Sequence, residues 1–315
     1  MASAIDERAL AERQRGEKWR KARRMAPLYV FLLFPMTAVF IFHYIPIYGV
    51  QIAFKEFQIG RGIWASPWAG FLQFEMLFSN PFFGRIMRNT VILSLLRIGF
   101  AVPAPLLLAL LINEVGRMPV KRTIQSISYL PHFMSWVVLS GMLFEVLSPQ
   151  RGLVALSANL FGTPAVNLFT DEAFFRPLLV TSDIWKEAGW GAIIYLAAIA
   201  SIDPELYEAS SIDGANRLQR AWHITIPSLV PVLTILLLLR IGNIMEAGFD
   251  QVLNLYSPPV YEVGDIIDTY EYRVGLIDRR YDFSTAVGLF KNGIGLALLL
   301  GVNVVVRRHS DYGLW

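Results

Sequence analysis

Six apolar runs, each long enough to cross a lipid bilayer, constrain this 315-residue chain more than anything else in it. They fall at approximately 28–49, 89–112, 124–147, 177–200, 227–248 and 285–306. A helix of about 20 apolar residues crosses the ~30 Å of hydrocarbon, and there a backbone has to satisfy its own hydrogen bonds. The expected fold is therefore an all-α membrane protein with six transmembrane helices. Composition agrees: 55% of residues are hydrophobic and only 17% charged, against about 25% in a soluble domain. The chain has no cysteine, which removes disulfides, thiolate metal sites and cysteine nucleophiles.

The first, fifth and sixth runs are clear spans. The third carries His132 and Glu145, and the fourth carries Asp183, Lys186 and Glu187. A charge at mid-membrane costs several kcal/mol, so such helices are expected to face a bundle interior or a watery path. Pro35, Pro46, Pro103, Pro105, Pro131 and Pro231 fall in or beside the runs, tolerated where neighbours satisfy the freed carbonyls. Small residues at Ala188, Gly189, Gly191, Ala192, Gly293 and Gly295 allow close helix contact.

Arg97, Lys186, Arg240 and Lys291 all fall inside the runs, as do Asn243, Glu246 and Asn292. Mutual pairing, or snorkelling near a helix end, accounts for such residues structurally. The alternative is that they line a substrate path. The candidates are Lys186, Tyr195, Asn243, Lys291 and Asn292, together with Tyr270, Glu271 and Arg273 from the segment 249–284. That segment mixes tyrosines with carboxylates, as a sugar surface does, though it would equally serve as a self-packed lid. Residues 50–88 carry a series of Phe and Trp side chains, read as an interfacial belt or as part of a landing surface for a soluble partner.

Residues 1–27 form a basic tail with Arg8, Arg13, Arg15, Lys18, Arg20, Lys21, Arg23 and Arg24, and 307–315 a short second tail. With the N-terminus inside, inner segments hold 15 Lys and Arg and outer segments nine. That bias places both termini in the cytoplasm. The net charge of +3 gives no footing for a nucleic-acid partner.

Between the fourth and fifth runs lies the polar loop 203–226. Asp203-Pro204-Glu205 has the residues of a helix start: a side-chain cap, a proline at the first position and an acid in the first turn. Gly214 suits a left-handed turn, Asn216 starts a second short helix, and Pro227 opens the next long one. The order Glu208-Ala209-Ser210-Ser211-Ile212-Asp213-Gly214-Ala215, then Gln219, Trp222, Ile224 and Pro227, closely resembles the EAA loop of binding-protein-dependent ABC importers. Only Ser210 departs from that pattern, where the family has a second Ala. By spacing alone the loop would be an ordinary capped connection.

The resemblance extends over nearly the whole chain, through Asn254–Pro258, Val263–Tyr270, Arg273–Gly275 and Ala286–Lys291. It is to the maltose-type superfamily, in its polysaccharide and complex-oligosaccharide branch, whose cargoes include alginate and pectin fragments. It implies a type I ABC importer permease fold in a bacterial inner membrane, with Glu208, Ala209, Ser210, Asp213, Gly214 and Ala215 docking on an ATPase. It also implies a second homologous permease, two ATPase subunits and an extracytoplasmic solute-binding protein as partners, with lipid around the bundle. The chain has no G-x-x-x-x-G-K-[ST] and no Gly-Lys pair. ATP and Mg are therefore expected on the partner subunits, with no cofactor here and no catalysis. The rivals are an ATP-independent secondary transporter or channel, which would need broken helices in matched halves, and a membrane enzyme, which would need a clustered acid–base or metal set.

Overall fold

The computed structural model describes residues 24–309. The predicted basic tail up to Arg23 and the last six residues of the C-terminal tail lie outside the described residues. Among those described, helices dominate, and the only β pairing is an isolated bridge between Lys55 and Trp68.

Four helices are long and apolar enough to cross a membrane: α1 (Arg24–Phe54), α2 (Phe83–Asn113), α8 (Arg217–Gly242) and α11 (Tyr281–His309). The third predicted run is not one straight span. It is a pair, α3 (Met118–Phe133) and α4 (Trp136–Val146), bent by 106°. Pro131 opens a tight 3₁₀ turn at Leu130–Phe133, Met134 is extended, and Ser135 restarts the helix by accepting from the Val138 amide. A short helix, α5 (Leu153–Phe161), ends on left-handed Gly162. The fourth run is α6 (Glu172–Ala200), 29 residues, capped by Asp171; at 1.5 Å per residue it is about 43 Å long. Its charges keep its hydropathy low, yet Asp183 and Lys186 are buried inside the bundle, as intramembrane charges must be.

The loop 203–226 folds as α7 (Pro204–Ile212), a turn at Gly214, and the start of α8. The small helices between α8 and α11 include α9 (Phe249–Leu255) and α10 (Ile267–Tyr272). The fifth run stops at Gly242 rather than 248, because Asn243–Gly248 turns back on itself with Gly248 at φ +86°.

One local device recurs. Three π-turns end two residues before a proline: Phe40–Tyr44 before Pro46, Arg97–Ala101 before Pro103, and Ala221–Thr225 before Pro227. Proline offers no N–H to the carbonyl four residues back, and its ring pushes that carbonyl aside. Widening the preceding turn by one residue lets the helix continue. Pro227 therefore sits within a continuous helix from Arg217, and does not open a new one.

Lipid gives little hydrophobic drive between helices, so close packing does the holding. Gly189 of α6 lies against the Ser128 backbone of α3, Gly191 lies against the Pro105 ring of α2, and Gly295 of α11 meets the Gly242 carbonyl. Gly293 has nothing near it. Ala109, Ala192, Tyr195, Ile199 and Leu229 form the core at the loop end of α2, α6 and α8. Phe175, Leu179, Val252, Leu255 and Ile266 form a core at the opposite end. Phe31 and Phe34 of α1 are exposed, as suits side chains facing lipid.

Candidate functional site

The bundle has two chemically distinct ends. At one, α2 finishes, α6 finishes and α8 begins; Glu114, just past α2, lies 3.5 Å from Arg217. This is the end of the Glu208 loop. Asp203 caps α7 through the Glu205 amide, and Gly214 adopts φ +78° with open space around it. Asn216 and Gln219 form a reciprocal capping box at the start of α8. Tyr207 meets the Thr225 hydroxyl at 2.9 Å and fixes α7 against the π-turn. Ser210 donates to the Tyr207 carbonyl, so its hydroxyl is satisfied within the helix.

Glu208, Ala209, Asp213 and Gly214 are exposed, and Ser210 and Ala215 half-buried. Glu208 lines a recess of about 500 Å³ with Asn113, Tyr207 and Arg220, while Ser210, Asp213, Gly214 and Ala215 line another of about 340 Å³ with His223. The two carboxylates therefore address different recesses, as their five-residue spacing allows. Sequence reasoning missed the apolar rim around them. Ile212 is 87% exposed, and Leu218, Trp222 and Leu206 are also open. Large apolar side chains in a polar loop were the available signal; an uncovered patch of this kind marks a contact surface.

The other end carries the larger cavity, about 620 Å³, lined by Arg97, Trp136, Arg240, Glu246, Gly248, Phe249, Asp250, Asp268, Glu271, Tyr272, Leu276, Ser284 and Lys291. Of the predicted path residues it brings together Glu271 and Lys291. The Lys291 ammonium is 2.6 Å from Asp268 and 3.6 Å from Glu271. Burial pushes the Glu271 carboxyl above its ordinary range, against the pull of Lys291. A second cavity, about 270 Å³, holds Tyr195 and Asn243 with Pro105, Gly191 and Leu236, and shares Arg240 with the first. Its α2 residues, Ala101, Val102 and Pro105, and its α8 residues Leu236 and Leu239 lie nearer the Glu208 loop than Arg97 and Arg240 of the first.

The remaining four candidates line neither cavity. Lys186 is buried and donates to the carbonyls of His132 and Met134 at the α3–α4 break, with Glu187 at 3.5 Å. Tyr270 accepts from Asn80 at 2.6 Å. Arg273 grips buried Asp265 at 2.7 Å and stacks over Tyr261. Burial works against the Arg273 charge, but the hydrogen bond and charge of Asp265 raise its pKa above the ordinary arginine value. Nearby Tyr256, 3.4 Å from Arg273, is pushed by burial to a pKa of about 12 and stays a phenol. Asn292 is exposed on α11. Arg97 was visible in the sequence as an intramembrane charge, but its partners Asp183, at 3.8 Å, and Gln251 were too distant in sequence to foresee. Elsewhere in the chain, Arg85 and Arg88 pair with Glu262, Arg176 donates to the Val263 carbonyl and to Asn89, and Gln73 donates to Asp282 at the start of α11.

A buried charge network inside a bundle, with an exposed loop at one end, is the anatomy of a transport subunit. The family model described as "Binding-protein-dependent transport system inner membrane component" matches residues 101–306. The chain belongs to that family. It is a multi-pass inner-membrane permease. It is 42% identical over 303 residues to Protein LplB of Bacillus subtilis (strain 168), covering 96% of this chain and 95% of that one. It is 39% identical over 314 residues to the polygalacturonan/rhamnogalacturonan transport system permease protein YteP of the same organism, covering 100% and 98%. Among solved structures, a chain of the bacterial alginate ABC transporter in complex with alginate pentasaccharide-bound periplasmic protein superposes with a TM-score of 0.85 at 41% identity, covering 94% of this chain and 99% of that one. The permease fold is that of a type I ABC importer, as the family resemblance implied.

Proposed function

We propose that this permease subunit imports an oligo- or polysaccharide, including acidic uronate chains, handed over by an extracytoplasmic binding protein. It pairs with a second homologous permease above two separate ATPases, one of which seats the Glu208–Ala215 loop. Both termini are cytoplasmic, the loop faces the cytoplasm and the larger cavity faces out. ATP and Mg belong to the ATPases; this chain holds no cofactor and catalyses nothing. The observation that carries this reading is the exposed rim of Ile212, Leu218 and Trp222 around left-handed Gly214, at the far end of the bundle from an aromatic and charged cavity. Trp136, Phe249 and Tyr272 offer ring faces and the carboxylates offer acceptors, the combination that sugar hydroxyls and C–H faces require. The polygalacturonan and alginate systems among its relatives support the acidic class.

The mechanism follows from that division. ATP closes the ATPase pair, the loop moves with it, and α6 and α8 on either side of the loop carry the motion to the cavity. The test is uptake and ATP hydrolysis in proteoliposomes holding both permeases and the ATPases, with binding protein added. Glu208→Ala and Gly214→Pro are expected to leave the chain inserted while uncoupling hydrolysis from uptake. Normal uptake by the Gly214→Pro complex would overturn the docking role.

A further inference from the structure

Three cations and four carboxylates line the larger cavity. Two of the cations are already engaged. Lys291 holds Asp268 and Glu271, and buried Arg97 holds Asp183 and Gln251. Arg240 is different. It is exposed, makes no ion pair among the described residues, and forms part of the wall of both cavities. A solute moving from the larger cavity toward the loop end passes it. Arg240 lies in the last turn of α8, where free helix carbonyls favour a cation without supplying a counter-ion. The other open charges on this wall, Glu246 and Asp250, are negative. They suit sugar hydroxyls and repel carboxylates, so among the described residues of this wall Arg240 is the open cation that a uronate carboxylate can meet.

We infer that Arg240 reads the carboxylate of an acidic saccharide as it passes between the two cavities, a step that rests on the saccharide reading above. A guanidinium grips a carboxylate through two parallel hydrogen bonds, which a lysine ammonium does not reproduce. Lys186 and Lys291, the two lysines among the path candidates read from the sequence, are already paired.

The test compares a galacturonate oligosaccharide of defined length with its carboxyl-reduced counterpart, in proteoliposomes of the full complex with one binding-protein preparation throughout. Because that protein is common to all samples, the variant-to-wild-type ratio reports on the permease. Arg240→Gln is expected to lower kcat/KM for the acidic probe by about tenfold, the scale of one charge-assisted hydrogen-bonded contact, and to leave the reduced probe unchanged. Arg240→Lys should recover part of the loss. An equal fall for both probes, or no fall for either, overturns the inference. So does a wild-type complex that imports only the reduced probe, which leaves the saccharide reading standing. A wild-type complex that imports neither probe but takes up a different solute class removes that reading and this inference with it.

Discussion

Lys186 and His132 meet side chain to backbone: the buried ammonium donates a 2.6 Å hydrogen bond to the His132 carbonyl and a 3.0 Å bond to that of Met134. These carbonyls lie where the third span breaks between α3 and α4, so they lack helical donors. His132 also stacks on Trp190 and bonds Glu187 at 2.8 Å, which ties the break to α6 twice more. Lys186→Met keeps the apolar stem and orphans both carbonyls, at a cost of about 1–3 kcal/mol each. The expected result is a lower melting temperature in detergent with an unchanged KM for uptake. A raised KM with unchanged melting would return Lys186 to the substrate path.

Arg273→Ala should be more damaging. Asp265 is fully buried and accepts two bonds from Arg273, at 2.7 and 3.3 Å, as well as one from Thr269. Removing one partner of a buried pair costs about 3–5 kcal/mol, because the other charge is left uncompensated. Thermal unfolding of the purified complex measures this, and adding Asp265→Asn to the Arg273→Ala variant should recover part of the loss.

These two residues also show how far the sequence could be read. The apolar runs announced the spans, and the polar fourth run announced an interior helix, because both signals are local. Asp203, Gly214 and Asn216 announced the loop for the same reason: a cap, a left-handed turn and a capping box each depend on a few neighbouring residues. The break in the third span had local marks as well, in Pro131 and in Ser135 as a capping residue, but its bend depends on Lys186 from a different helix. Charged path candidates were the hardest to place. Lys291 and Arg273 look like free cations until folding brings Asp268 and Asp265 to them, whereas Arg240, alike in sequence, gains no ion pair among the described residues.

Gly189 tests the packing. A β-carbon there would fall inside contact distance of the Ser128 backbone, which has no flexible end to swing away. Gly189→Ala is expected to destabilise by about 1–3 kcal/mol, the usual cost of overpacking, as read from detergent melting. Gly293→Ala, where the space is open, is the matched control and should melt like the parent.

Glu271 gives the pH dependence. Burial raises its folded pKa above the ordinary glutamate range. Between those two values the folded state keeps a proton that the unfolded state has lost, so stability falls as pH rises through the window. Glu271→Gln removes that slope. Melting temperatures measured across the window should converge for the two proteins on its acid side. On its alkaline side the variant should gain relative to the parent.

The uninterrupted course of α8 from Arg217 to Gly242 has a mechanical consequence. Arg240 lies 23 residues beyond Arg217, roughly 35 Å along a helical axis. A tilt of about one degree about the Arg217 end would then swing the guanidinium sideways by about 0.6 Å at that radius, a sizeable fraction of the tolerance of a two-pronged hydrogen bond. A small rocking of the loop would thus be enough to loosen the grip on a passing carboxylate.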